Sequence, residues 1–168
     1  NLNSDHILDL SVLNEKSANS KSHFFYQFDK NSVIKNFDTS KIDFKIQQTS
    51  NDKYLKTEKL KNKLTNDDDV LENSLNLDLY SNDISINLGT TIYENLNKKN
   101  NDRFEYILPK LLLTKNFNYI DELNGNFSLT SDTVIRHYNT NVLEKKNIND
   151  LIFSSDRKIN NLGFLNNH

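Results

Sequence analysis

The stretch VLENSLNLDLYSNDISINLGTTIYENL, residues Val70–Leu96, decides the fold. In its first half Leu75, Leu77 and Leu79 point one way, and Ser74, Asn76, Asp78 and Tyr80 point the other. In its second half Ile84, Ile86, Leu88 and Ile92 oppose Ser85, Asn87, Thr91 and Tyr93. A side-chain period of two predicts strands with one apolar and one polar face. Between them Ser81, Asn82 and Asp83 tolerate turn geometry and hydrogen-bond their own backbone. The stretch is expected to form a β-hairpin, and the rest of the chain repeats its plan.

Upstream, residues 6–13 set Leu8, Leu10 and Val12 against Asp9 and Ser11, and the polar run NEKSANSKS then predicts a loop. Residues 22–29 place Phe24, Tyr26 and Phe28 opposite His23, Phe25, Gln27 and Asp29, with a turn expected at Asp29–Ser32 before a short apolar piece at Val33 and Ile34. Residues 41–48 oppose Ile42, Phe44 and Ile46 to Lys41, Asp43, Lys45 and Gln47. The run TSNDKYLKTEKL continues with weaker alternation, ahead of the charged loop KNKLTNDDD.

Downstream, a polar loop at 97–103 leads to FEYILPKLLLT, residues 104–114, apolar on both faces and so expected to be covered on both sides. Pro109 removes a backbone donor there, which suits an edge, a strand end or a bulge. Residues 123–130 alternate again, 133–138 extend them past an expected bend at Ser131-Asp132, and a last strand is expected at 147–154. The only helix-like windows, Glu58–Leu64 and Asn141–Asn147, are short and lack a broad apolar face.

About eight strands and no convincing helix predict an all-β, antiparallel up-and-down meander. The brief turn at 81–83 and the longer loop at 97–103 match the loop asymmetry of transmembrane β-barrels. Strands of this length also suit a tilted membrane crossing. The chain begins at Asn1 and ends shortly after Gly163-Phe164-Leu165, so residues 1–168 are expected to be a single segment cut from a larger barrel domain.

Composition narrows the function classes. Net charge is -2, and the 21 basic residues are scattered, so no basic stripe offers a nucleic-acid footprint. Cysteine is absent, which leaves no disulfide framework and no thiolate metal site. Asn fills about one position in six, spread evenly rather than in tracts, which points to AT-rich coding bias rather than a functional Asn-rich segment.

Nothing in the sequence forms a catalytic constellation, so no catalytic, cofactor-binding or metal-ligating residue is assigned and enzymatic activity is not expected. His6, His23, His137 and His168 are far apart, without metal-ligand spacing, and His23 and His137, each in an alternating strand, are expected to be surface or lumen residues rather than ligands. Asp67-Asp68-Asp69 lacks the spaced ligands, glycine and distal Glu of a calcium loop and reads as solvated loop. Gly89, Gly125 and Gly163 stand alone, as at strand bends or close approaches rather than in a phosphate-cradling loop.

Three pieces in order carry a family resemblance: YLKT (54–57) with the acidic loop and VLENSL (70–75), then TIYENL (91–96), then DRFEYILPK (102–110). LNGNFSLTSDTVIRHYNTNVLEKKNINDLIFSS, residues 123–155, continues it. Over roughly residues 40–155 the chain resembles the barrel region of the lipopolysaccharide-assembly protein LptD, also called organic solvent tolerance protein, most of all its divergent alphaproteobacterial forms. The resemblance implies an outer-membrane β-barrel that works with an LptE-like plug lipoprotein. Such a barrel receives lipopolysaccharide from a periplasmic Lpt bridge, passes it to the outer leaflet and is surrounded by outer-membrane lipid. The family's periplasmic domain, its cysteines and its closing strands have no counterpart in these residues. On this view the leucine faces meet lipid, Asn76, Asp78, Ser85 and Asn87 face a hydrated lumen, and Ser81–Asp83 is a periplasmic-side turn. The aromatics Phe25 and Tyr93 on the lumen side depart from the pattern.

The alternative is a soluble antiparallel β-sandwich, such as a surface adhesin or carbohydrate-binding module, with the apolar faces packed between two sheets. A barrel places apolar residues outside and polar ones inside, and a sandwich reverses them.

Overall fold

The computed structural model describes residues 3–14, 20–59, 64–65, 67–138, 141–156, 158–159 and 165–166. Eight strands follow in chain order: β1 Ser4–Leu13, β2 Lys21–Ser32, β3 Thr39–Thr49, β4 Val70–Tyr80, β5 Ile84–Asn95, β6 Phe104–Asn116, β7 Gly125–Tyr138 and β8 Val142–Ser155. Each pairs antiparallel with the next, so one sheet runs β1 to β8 in sequence order. This is the expected all-β up-and-down meander. Its edges, β1 and β8, do not pair with each other. A separate two-stranded ribbon, β9 (Lys158–Ile159) with β10 (Leu165–Asn166), follows.

The hairpin read first keeps its register throughout, from Val70↔Asn95 to Tyr80↔Ser85. Its turn is closed by the Ser81 amide donating to the Ile84 carbonyl at 2.8 Å, and by Ser81 Oγ donating to Asp83 Oδ1 at 3.2 Å.

Four expectations are corrected. Asp29–Ser32 is not a turn: Lys30 and Asn31 pair with Ile42 and Lys41, and the chain reverses over residues 33–38. Ser131-Asp132 is not a bend, because Ser131 pairs with Leu113 and Asp132 with Leu112 inside a continuous β7. The last strand begins at Val142, so the helix-like window at 141–147 is strand apart from Asn141. Residues 104–114 are not covered on both faces, and Leu108 and Leu112 are exposed.

A bulge accounts for that last misreading. The β5–β6 register shifts between Gly89 and Thr91, and the β6–β7 register between Ile107 and Lys110. One extra residue swaps the alternation, so Glu105 and Ile107 share a face with Lys110, Leu112 and Thr114. Pro109 sits inside this bulge, where no ladder donor is required of it.

Loop lengths follow the expected asymmetry only in part. One end of the sheet carries residues 33–38, 81–83 and 117–124; the other carries the β5–β6 connection, residues 96–103, and the ends of β1, β3 and β7. The long 117–124 connection falls on the same end as the tight 81–83 turn.

Candidate functional site on the polar sheet face

Alternation and register together sort the side chains of β2–β5 into two continuous faces. One carries Gln27, Asp29, Lys41, Asp43, Lys45, Glu72, Ser74, Asn76, Asp78, Asn87 and Thr91; the other carries Tyr26, Phe28, Ile42, Phe44, Ile46, Leu75, Leu77, Ile86 and Leu88. On the polar face charges pair across strands. Lys41 Nζ lies 2.7 Å from Asp43 and 3.7 Å from Asp29, and Lys45 Nζ lies 2.9 Å from Glu72. Arg136 Nε donates to Glu105 at 2.6 Å, and its guanidinium lies 4.2 Å from the Tyr138 ring centroid.

Exposure does not separate the two faces of β2–β5, most of whose side chains are half-buried. On the polar face Lys45, Asp29 and Asp43 are 16%, 25% and 26% exposed and Lys41 is 46% exposed. On the opposite face Leu75 and Leu88 are 49% and 41% exposed, and none of the apolar side chains named above is buried. β7 and β8 depart from the rule: Ser131, Thr133, Lys145, Asn147 and Asn149 fall on the otherwise apolar face, with Asn147 Nδ2 donating to Thr133 Oγ1 at 2.6 Å.

The buried core lies at one end of the polar face, under the β3–β4 connection. It consists of Phe25, Tyr54, Leu55, Leu64, Leu71 and Leu96. The expected weak strand after Thr49 is instead a five-residue helix, α1, Tyr54–Glu58. Asn51 starts it by accepting from the Lys53 amide on its side chain at 2.9 Å, and Lys59, in the left-handed region at φ 46°, ends it. Helix α1 presents Tyr54 and Leu55 to the sheet, and both are buried.

Residues 51–59 form a strap fastened at several points. Tyr54 OH hydrogen-bonds Ser11 Oγ on β1 at 2.9 Å, and its ring lies 5.8 Å from that of His23 on β2. Glu58 pairs with Lys21 at 3.7 Å. Asp52 receives two bonds from the Arg103 guanidinium, at 2.6 and 3.0 Å, while Arg103 Nε donates to Glu94 at 2.7 Å. Lys56 pairs with Asp69. The Arg103 bonds hold the Asp52 carboxyl below the usual carboxylate range. The strap thus runs from β1 and β2 to the β5–β6 connection.

Gln47, also on the polar face, seats the base of this connection. Regular β3–β4 pairing stops at Lys45↔Ser74. Beyond it the Gln47 amide donates to Asn73 Oδ1 at 2.9 Å, Gln47 Oε1 accepts from the Glu72 amide at 2.6 Å, and Gln47 Nε2 donates to the Leu64 carbonyl at 2.6 Å. A buried side chain here completes hydrogen bonds that a ladder no longer supplies.

The histidines occupy different settings. His23 lies on the polar face and is buried there, with Nε2 3.2 Å from Asp9 and Nδ1 without a partner among the described residues. His6 meets Tyr26 and Phe28, His137 stacks with Tyr106, and His168 lies outside the described residues. Asp67 accepts from the Asp69 amide at 2.8 Å, so the acidic triplet is partly occupied in shaping its own turn. Among the described residues no group of three or more His, Asp or Glu is placed to hold a metal. The lumen-side aromatics have local reasons: Phe25 lies beneath the strap, and Tyr93 lines a cleft of about 150 Å³ with Arg103, Glu105 and Tyr138. The strap was hidden in the sequence because Tyr54 and Leu55 are two apolar residues in a polar run.

No family model, curated protein or solved structure matches the chain.

Proposed function

We propose that the eight strands are a wall segment of an outer-membrane β-barrel that conducts lipopolysaccharide to the outer leaflet, as their resemblance to the LptD family implies. The observation that supports the barrel reading is that the apolar side chains lining one face of β2–β5 are not buried, Leu75 and Leu88 being exposed, while charges pair across strands on the other face. A sandwich would bury those leucines against a second sheet. In a bilayer they meet acyl chains, and the backbone is satisfied by the strand ladder.

Dimensions agree. Tyr106 near the start of β6 and Phe117 just past its end bracket Leu111 and Leu113. Their separation, roughly 35 Å at about 3.3 Å per residue, becomes about 27 Å in height for a strand tilted by about 40°, close to the ~25 Å apolar band between aromatic girdles. Lipid contact belongs to β1–β6 in this reading. A lysine at the bilayer midplane costs about 2–4 kcal/mol, so the outward face of β8 with Lys145 meets polar surroundings.

The cargo, the LptE-like lipoprotein and the periplasmic bridge rest on the sequence resemblance. In this orientation Ser81–Asp83 is periplasmic and the strap faces the cell exterior. The test is detergent dependence. The reading expects protein that aggregates without detergent and floats with lipid vesicles in a density gradient. A water-soluble monomer would return the assignment to the sandwich.

A further inference from the structure

We infer that residues 51–59 are a built-in obstruction: a strap lying across one mouth of the polar face, held down by a buried apolar pad and fastened at its ends by polar contacts. The inference rests on the barrel reading above, since an obstruction needs a conduit to close.

Three features carry it. The strap is laid over the polar face, where it buries Phe25, His23 and Gln47, rather than standing out into solvent as a surface loop does. It is tied to widely separated strands, through Tyr54 to Ser11 on β1, Glu58 to Lys21 on β2 and Asp52 to Arg103 beside β6, so it crosses the face instead of following one strand. Its outer fastenings are partly exposed ion pairs, with Asp52 and Glu58 side chains open to water, and such pairs contribute little and exchange readily. The apolar pad of Tyr54 and Leu55, two of the six core side chains among the described residues, is the main hold on the strap, since burying an apolar side chain outweighs an exposed ion pair. The β3–β4 ladder is already interrupted beyond Lys45↔Ser74, so movement of the strap breaks no strand pairing there.

The experiment uses the complete protein in planar bilayers. One variant combines Asp52→Ala and Leu55→Ala, which remove the Arg103 fastening and shrink the buried pad, with Lys21→Cys and Glu58→Cys, which accept a short bis-maleimide bridge; residues 1–168 hold no cysteine of their own, and any elsewhere in the protein is replaced by serine. Before bridging, the open-channel conductance is expected to exceed that of the wild type several-fold. After bridging it is expected to fall back to the wild-type level, which also demonstrates that the variant is folded. Conductance equal in all three states overturns the strap inference and leaves the barrel reading standing. Absence of conductance from every form overturns both.

Discussion

Gln47 and Glu72 lie on neighbouring strands just past the last regular pair of β3 and β4, and the Glu72 amide donates to Gln47 Oε1 at 2.6 Å. A side chain has taken the place of a ladder carbonyl. The same side chain donates to Leu64, so one residue fixes both the strand and the returning connection. Gln47→Leu keeps the volume but leaves a buried amide and a buried carbonyl without partners. The expected loss is about 2–3 kcal/mol, measured by urea unfolding in detergent micelles. A loss below about 0.5 kcal/mol would show that water replaces Gln47 without cost.

The Asp52–Arg103 pair makes an acid-side prediction. Asp52 ionises below its ordinary value because Arg103 hydrogen-bonds its carboxylate. A depressed folded value means the stabilisation is present above the unfolded pKa of 3.8 and is lost as pH falls through the folded one. The stability difference between wild type and Asp52→Asn is therefore expected to be constant above about pH 5 and to vanish toward pH 2. Its size stays below about 1 kcal/mol, because the pair is half in water. A difference that grows on acidification would contradict the pairing.

At the opposite end, Tyr119 OH donates to Asp156 Oδ2 at 2.5 Å, tying the β6–β7 connection to the end of β8. The hydrogen bond to Asp156 pushes the phenol up to about 12. Among the seven tyrosines, Tyr119 is expected to ionise late in a spectrophotometric titration. Asp156→Asn should bring it back toward the ordinary value of 10.0. The raised value means this tie persists through neutral pH and is lost only as pH rises through the folded pKa. Unchanged late ionisation in Asp156→Asn would place the cause elsewhere.

Two glycines of the same sheet, Gly89 on β5 and Gly125 on β7, should respond differently to alanine. A Cβ at Gly125 would meet the Ser154 carbonyl and the Phe153 ring, neither free to retreat. Gly125→Ala is expected to cost about 1–3 kcal/mol. A Cβ at Gly89 would meet Asn76 Oδ1, the far end of a flexible side chain. Gly89→Ala should stay within about 1 kcal/mol of neutral, because a strand glycine also carries an entropic cost that alanine removes. Thermal unfolding of the two variants side by side checks the order.

Legibility tracked the local period. Where alternation is clean, as in Leu75–Leu79 and Ile84–Leu88, strand, turn and the division into two faces are all legible in the sequence. Where a bulge intervened at Ile107–Lys110, the period broke and β6 read as apolar on both sides. Polar residues with turn propensity, Lys30-Asn31 and Ser131-Asp132, read as reversals although the strands beside them hold them in the ladder. Neighbouring strands outweigh local propensity at such positions. The strap was not legible, since its fastenings join residues as distant as Asp52 and Arg103, and no local pattern records that meeting.

The central claim is that the leucine face meets lipid and the charged face meets water. Single cysteines at Leu75, Leu77 and Leu88, and at Ser74, Asp78 and Asn87, can each carry a spin label in the bilayer-inserted protein. The account predicts that labels at 75, 77 and 88 relax with dissolved oxygen and are shielded from a water-soluble nickel chelate, and that labels at 74, 78 and 87 do the reverse. Nickel access at the leucine positions together with protection at 74, 78 and 87 would contradict it.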